Sequence, residues 1–234
     1  MPNEAVVFKN LSYLWLAVIP IAVAAIVMAL VDENIPSGDA MEMIIVLAIS
    51  IAIAVGVFIC SMIIVKDSAI FIMSLITAVA APLFLITGMY GVGIYGDLAY
   101  ILALAAFGLM ALLNIVNYVI VGKYDAVLAY VATISMSIVT GYMLGVNDEF
   151  LAAFAAIGWI VGTIFTIVIS SDYVAEAGKI VVIPFAAGAI MNAYGISEFL
   201  NANVDSVYVI LVVVATVACA AGALMAFMRA LSDF

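Results

Sequence analysis

"VIVGKYDAVL", residues 119–128, is a short polar interruption in an otherwise almost continuous apolar chain, and Lys123 sits at its centre. The other lysines are Lys9, Lys66 and Lys179, so successive gaps are 57, 57 and 56 residues. So few cations at such even spacing call for a single physical cause.

Composition supplies the frame. Of 234 residues, 70% are apolar and 9% charged, and the mean hydropathy is +1.45. A soluble domain carries roughly 25% charged residues, so most of this surface is expected to face lipid. Backbone polar groups in hydrocarbon must bond within their own segment, so long apolar runs become helices of about 20 residues per crossing. The sequence divides into eight such runs, at about 11–31, 42–65, 68–90, 98–121, 126–146, 150–170, 180–199 and 206–229. The expected fold class is an all-α membrane protein, one polytopic domain over residues 1–234 with eight transmembrane helices arranged as four helical hairpins. The longest polar stretch, Asp32 to Glu42, is too short for a water-soluble domain. The opening "MPNEAVVFKN" lacks the basic n-region of a secretory signal, so the first run is expected to be a retained span.

The lysines then find their cause. Lys9 precedes the first span, Lys66 lies between the second and third, Lys123 between the fourth and fifth, and Lys179 between the sixth and seventh. Arg229 ends the eighth. All the basic residues therefore share one side, and Lys and Arg mark the side left in the cytoplasm. The expected location is the plasma membrane, multi-pass, with both termini cytoplasmic. A period of about 57 residues also suggests one helical hairpin used four times in parallel. "IIVKDSA" (63–69) resembles "IVGKYDA" (120–126), and "TGMYGV" (87–92) resembles "TGYMLGV" (140–146). Any array of similar spans with short loops shows such a period, so these likenesses weigh little.

Acidic residues fall the other way. Asp32, Glu33, Asp39, Glu42, Asp97, Asp148, Glu149, Glu198 and Asp205 map to the outer face with no basic partner. Such a face concentrates cations within a Debye length of about 8 Å. Acidic residues also simply solvate outer loops, which the positive-inside rule leaves free to accumulate them. That simpler account is preferred.

Several motifs carry no chemistry in this setting. "GVGIYG" (91–96) spells a dinucleotide fingerprint, but it follows no strand and is expected to be a flexible outer turn. "YGD" (95–97) and "YD" (124–125) carry the paired aspartates of intramembrane aspartyl proteases in reversed order, and the expected topology puts them on opposite faces. "NLS" (10–12) has the form of a glycosylation sequon on the cytoplasmic side. The absence of histidine removes the usual haem and zinc ligand and the commonest general base. Cys60 and Cys219 lie inside apolar runs and read as small packing residues. The methionines are scattered along apolar faces without a cluster resembling a soft-metal path. No metal, cofactor or catalytic residue is expected.

No Asp, Glu, Lys or Arg falls in the middle of a span, which disfavours proton pumps and carboxylate-coupled antiporters. Uncharged polar residues do occur, at helical spacing. Ser74 and Thr77 share a face, as do Asn114 and Asn117; Tyr130, Thr133, Ser137 and Thr140 form a stripe, and Thr163, Thr166 and Ser170 another. At 1.5 Å per residue, Ser74, Asn114, Thr133 and Thr163 all lie roughly 10–12 Å from the cytoplasmic helix ends. One reading is a hydrated belt; the plainer one is helix-to-helix glue. The paired amides of Asn114 and Asn117 are the best single candidates, since burying them without partners is costly. Asn192 stands out separately, in "PFAAGAIMNAYG" (184–195), with Pro184 expected one turn inside the membrane. Pro20 and Pro82 interrupt other spans. Gly158 with Gly162, and Ala218 with Gly222, fit the small-xxx-small pattern of close helix packing.

Two functions are compatible with this pattern. The first is a channel or facilitator for a small neutral solute or a cation, lined by residues among Ser74, Thr77, Asn114, Asn117, Thr133, Ser137, Thr163, Thr166 and Asn192. The second is a non-catalytic accessory subunit of a larger membrane complex. The expected partners are the lipid bilayer and further copies or other membrane subunits, with no nucleic acid; an enzyme is a distant third.

Overall fold

The computed structural model describes residues 11–64, 67–170 and 181–232, and side chains within 11–62, 72–169 and 181–228. Lys9, Lys66, Lys179, Asp172, Glu176 and the side chain of Arg229 lie outside the described set.

Every described element is helical. A short helical turn over 11–15 leads into α1 (Val18–Val31). It is followed by α2 (Ser37–Ile59) with a π-helical continuation (Cys60–Ile64), α3 (Asp67–Ile94) and α4 (Leu98–Val121). Then come α5 (Tyr124–Gly145), α6 (Glu149–Ser170), α7 (Val182–Asn201) and α8 (Ser206–Ser232). Seven segments are long and apolar enough to cross a membrane, beginning with Leu11–Val31. The protein is therefore compatible with a multi-pass helical membrane architecture. The remaining helix, α7, carries Asn192, Glu198 and Tyr194, which lower its hydropathy. The least apolar helix thus holds the most conspicuous buried amide.

The chain divides into two units. The first contains residues 1–122 and 141–147; the second contains 123–140 and 148–234. In the first unit, α4 packs against α1 and α3, and α1 against α2. The seams follow the 3-and-4 spacing that turns one face toward a neighbour. On α2 the buried residues are Ala40, Met43, Leu47, Ser50, Ala54 and Val57. On α1 they are Val18, Ala22, Ala25 and Ala29. So many alanines fit a membrane setting, where lipid is as apolar as leucine and close backbone approach drives association. Larger side chains such as Leu30, Ile72 and Ile101 point outward and are exposed.

In the same unit the last turn of α5 meets α3. A methyl on Gly141 would lie 2.4 Å from the Ile86 carbonyl oxygen, and one on Gly145 would lie 2.6 Å from that of Tyr90. In the second unit α7 packs on α8 and on α6. Gly162 meets Thr133 and Gly158 meets Met136, so the first small-xxx-small pair is a close contact with α5. Gly222 fits beneath the ring of Phe185, so the second pair faces α7.

Several boundaries differ from the expectations. The helix α2 begins at Ser37, five residues early, because Pro36 supplies the extended residue that precedes it and the Ala40 amide donates to the Pro36 carbonyl at 2.9 Å. "GVGIYG" is not a flexible turn: Gly91 to Ile94 complete α3, and only Gly96, at φ +66°, turns the chain. Gly91 is closed off by Tyr100, whose ring atoms lie 1.9 Å from where a methyl would sit. Nor does Pro184 kink a helix. It falls in the first turn of α7, where its missing N–H has no intrahelical partner to lose. Pro20 does interrupt: α1 breaks at 16–17, and the Leu16 carbonyl accepts from the Ile19 amide at 3.2 Å instead. Pro82 sits within a continuous α3.

Candidate functional site

The polar side chains of the first unit mostly bond to carbonyls of their own helices, and Thr77 also reaches across to Asn114. Thr77 Oγ1 lies 2.9 Å from Asn114 Oδ1 and 2.9 Å from the Ser74 carbonyl oxygen, two acceptors for one proton. The Asn114 amide donates to the Met110 carbonyl at 3.3 Å. Thr77 and Asn114 therefore form a bridge between α3 and α4, in which Ser74 takes part through its backbone carbonyl. Asn117 is different: it is buried, and its Oδ1 has no partner.

In the second unit the hydroxyl stripe of α5 turns back on its own helix. Thr133 donates to the Ala129 carbonyl at 2.8 Å, and Ser137 donates to that of Thr133 at 2.7 Å. On α6, Thr166 donates to the Gly162 carbonyl at 2.9 Å and lies 3.4 Å from Thr133 Oγ1. These groups are glue within and between helices. Thr163 is an exception, with a buried Oγ1 that finds no partner, as is the Trp159 indole nitrogen one turn earlier.

Asn192 is another candidate with an unsatisfied group. On α7 the residues Phe185, Gly188, Asn192, Gly195 and Phe199 follow one another at offsets of three and four, placing the amide on the packed seam. It is 3% exposed, and its Oδ1 has no hydrogen-bond partner. Its Nδ2 reaches only Cys219 Sγ on α8, at 3.9 Å. An asparagine that fixes packing register is expected to pair its amide; this one leaves its one side-chain acceptor open.

Asn192 is one of the residues that line a cavity. The lining comes from α5, α6, α7 and α8 and includes Met136, Gly158, Met191, Asn192 and Cys219. A methyl on Gly158 would stand 3.5 Å from Asn192 Oδ1 and 2.9 Å from Met136 Cε, so glycine leaves the amide its approach. The space open to the centre of a water-sized sphere is about 30 Å³. One water needs roughly 10–15 Å³ by this measure, so the cavity suits a water or two, or a solute of a few heavy atoms. None of its described lining residues is charged.

Sequence reading named Asn192 but missed its surroundings. Met136, Met191 and Cys219 come from three helices, and nothing in their linear positions pairs them. The signal that was present is the run Gly188, Asn192, Gly195, an amide between two small residues on one face. The Gly141/Gly145 pair was also legible, as G-x-x-x-G in "GYMLG" (141–145), and was passed over.

The helix starts show why acids collect there. Asp148 Oδ1 accepts from the Leu151 amide at 3.1 Å, and Asp205 Oδ1 accepts from that of Val207 at 3.1 Å. Asp97 precedes α4, and Asp39 lies in the first turn of α2. Carboxylates at these N-termini are favoured by unpaired amides and by the helix dipole. Asp39 also accepts a hydrogen bond from the Tyr95 hydroxyl, and Tyr95 stacks on Tyr100 at 5.6 Å. Among the described residues, no group of three or more Cys, Asp or Glu side chains is placed to hold a metal. Searches against family models, curated proteins and solved structures match nothing to this chain.

Proposed function

We propose that the protein is a facilitator that passes a small uncharged solute across the plasma membrane, with both termini cytoplasmic. The observation that carries this reading is the unpartnered carbonyl oxygen of Asn192, a residue that lines a cavity within an apolar helical unit. A buried acceptor without a donor costs about 1–3 kcal/mol. A solute bearing an N–H or O–H group supplies the missing bond, and the cavity limits it to a few heavy atoms. The uncharged lining speaks against a hard cation, for which no counter-charge is present. The reaction is passage alone, without covalent chemistry. The orientation is supported by the gaps between lysines in the sequence.

The test is osmotic light scattering from reconstituted vesicles, with urea as the probe. Wild-type protein is expected to admit urea faster than protein-free vesicles do, and Asn192→Leu is expected to cut that flux at least tenfold. Asn114→Leu is expected to keep it, because Asn114 is occupied by Thr77 and its own helix. Unchanged flux in Asn192→Leu would remove the site. Absence of urea flux in the wild type would instead leave the accessory-subunit reading, to be pursued by identifying chains that copurify stoichiometrically in mild detergent.

A further inference from the structure

The cavity in the second unit has a chemical bias that solute passage does not use. Three sulfur-bearing side chains line it: Met136 on α5, Met191 on α7 and Cys219 on α8. The methionine and cysteine sulfurs are soft donors, and soft donors select soft ions. Asn192 links the group: its Nδ2 lies 3.9 Å from Cys219 Sγ, while its unpartnered Oδ1 and Met136 Cε both lie within 3.5 Å of the Gly158 methyl position. Asn192 itself also lines the cavity, 3% exposed and with no hydrogen-bond partner at its Oδ1.

We propose that this cavity binds a thiophilic monovalent cation of the Cu(I) or Ag(I) class, held by Cys219 with the thioethers of Met136 and Met191 beside it. Charge balance selects the ion. Among the described lining residues, Cys219 alone can furnish a negative charge. One thiolate neutralises one positive charge, so a monovalent ion leaves the site neutral in a low-dielectric surrounding. A zinc ion would retain a net positive charge and would lack the second thiolate or imidazole it prefers. Sodium and potassium gain little from sulfur. On binding, the S–H bond breaks heterolytically, its electron pair forms the sulfur–metal bond, and the proton leaves to water. No electron is transferred. The Asn192 N–H then points toward the thiolate and orients it, the part that second ligand layers play in metal sites.

This inference shares the cavity of the proposed solute path, and an ion seated there would obstruct that path. Binding is nevertheless measured at equilibrium without flux, so either reading can fail alone. The experiment titrates full-length protein in detergent with Cu(I) buffered by bicinchoninate under ascorbate. One Cu(I) per chain is expected, with sulfur as its nearest shell by X-ray absorption. Cys219→Ser should abolish binding and Cys60→Ser should retain it, since Cys60 lies in the other unit. Met136→Leu and Met191→Leu should each weaken affinity at least tenfold. Retained binding in Cys219→Ser, loss in Cys60→Ser, unchanged affinity in both methionine variants, or a nearest shell without sulfur would each overturn the proposal. The spectroscopic readout holds on wild-type protein even where a variant fails to fold.

Discussion

Tyr95 shows how a single contact sets a chemical property at the helix ends. Its hydroxyl donates to the Asp39 carboxylate, and that bond, more than the burial and the nearby negative charge, pushes its pKa up to about 12. An ordinary tyrosine titrates near 10. The folded state therefore holds the phenol proton more tightly than the unfolded chain does. The contact's stabilisation is present in full below about pH 10 and is lost as pH rises through about 12. A Tyr95→Phe difference spectrum of phenolate absorbance should show this late-titrating group, and Asp39→Asn should bring it back toward the ordinary range. No sequence pattern announced the pair, because residue 39 lies in the first turn of α2 and residue 95 just past the end of α3. Asn192 and Asn114 teach the complementary lesson. Both amides were visible as polar residues at depth, but only coordinates separate the one that Thr77 occupies from the one whose oxygen stays open.

Helices were the most legible part of the chain, for a physical reason: hydrocarbon permits backbone only when it is hydrogen-bonded within its segment. The runs at 98–121 and 150–170 match α4 and α6 almost residue for residue. Errors fell where polar residues are helical, as at Ser37 to Glu42, or where glycines read as loop, as at Gly91 to Ile94. Glycine there is a packing residue. The Gly141 methyl position meets a backbone carbonyl oxygen, which cannot rotate away as a side chain can. Gly141→Ala is accordingly expected to destabilise the first unit by about 1–3 kcal/mol through overpacking, read as a lower melting temperature in detergent. Gly108→Ala, with open space at its methyl position, should be neutral or slightly stabilising.

At the scale of the whole molecule, charge and hydropathy point to one environment but do not describe the same thing. Seven apolar spans among the described residues speak for a membrane. Sidedness rests on the cations alone. A membrane-impermeant amine reagent applied to intact cells should leave Lys66 and Lys123 unlabelled, and permeabilisation should expose both. Labelling of either without permeabilisation would invert the orientation and move the acidic helix starts to the cytoplasm. Asp148 and Asp205 need no further partner to explain them, since each accepts from a backbone amide at a helix start. The grouping into two units was not foreseen: hydropathy counts spans but is silent on which of them pack together, and α5 contributes to both.

The π-helical stretch at Cys60–Ile64 bears on how much length the chain can lose. A wide turn closes over five residues where an α turn closes over four, so it stores one residue that the helix does not need. Removing Met62 lets the ladder tighten to α spacing, with Ser61 still able to reach the Val57 carbonyl it holds at 2.6 Å. The same excision in α4 would swing everything beyond it by about 100° and turn its alanine seam outward. Codon-by-codon deletion scanning for membrane expression should therefore find a tolerant notch at 60–64 beside intolerant flanks.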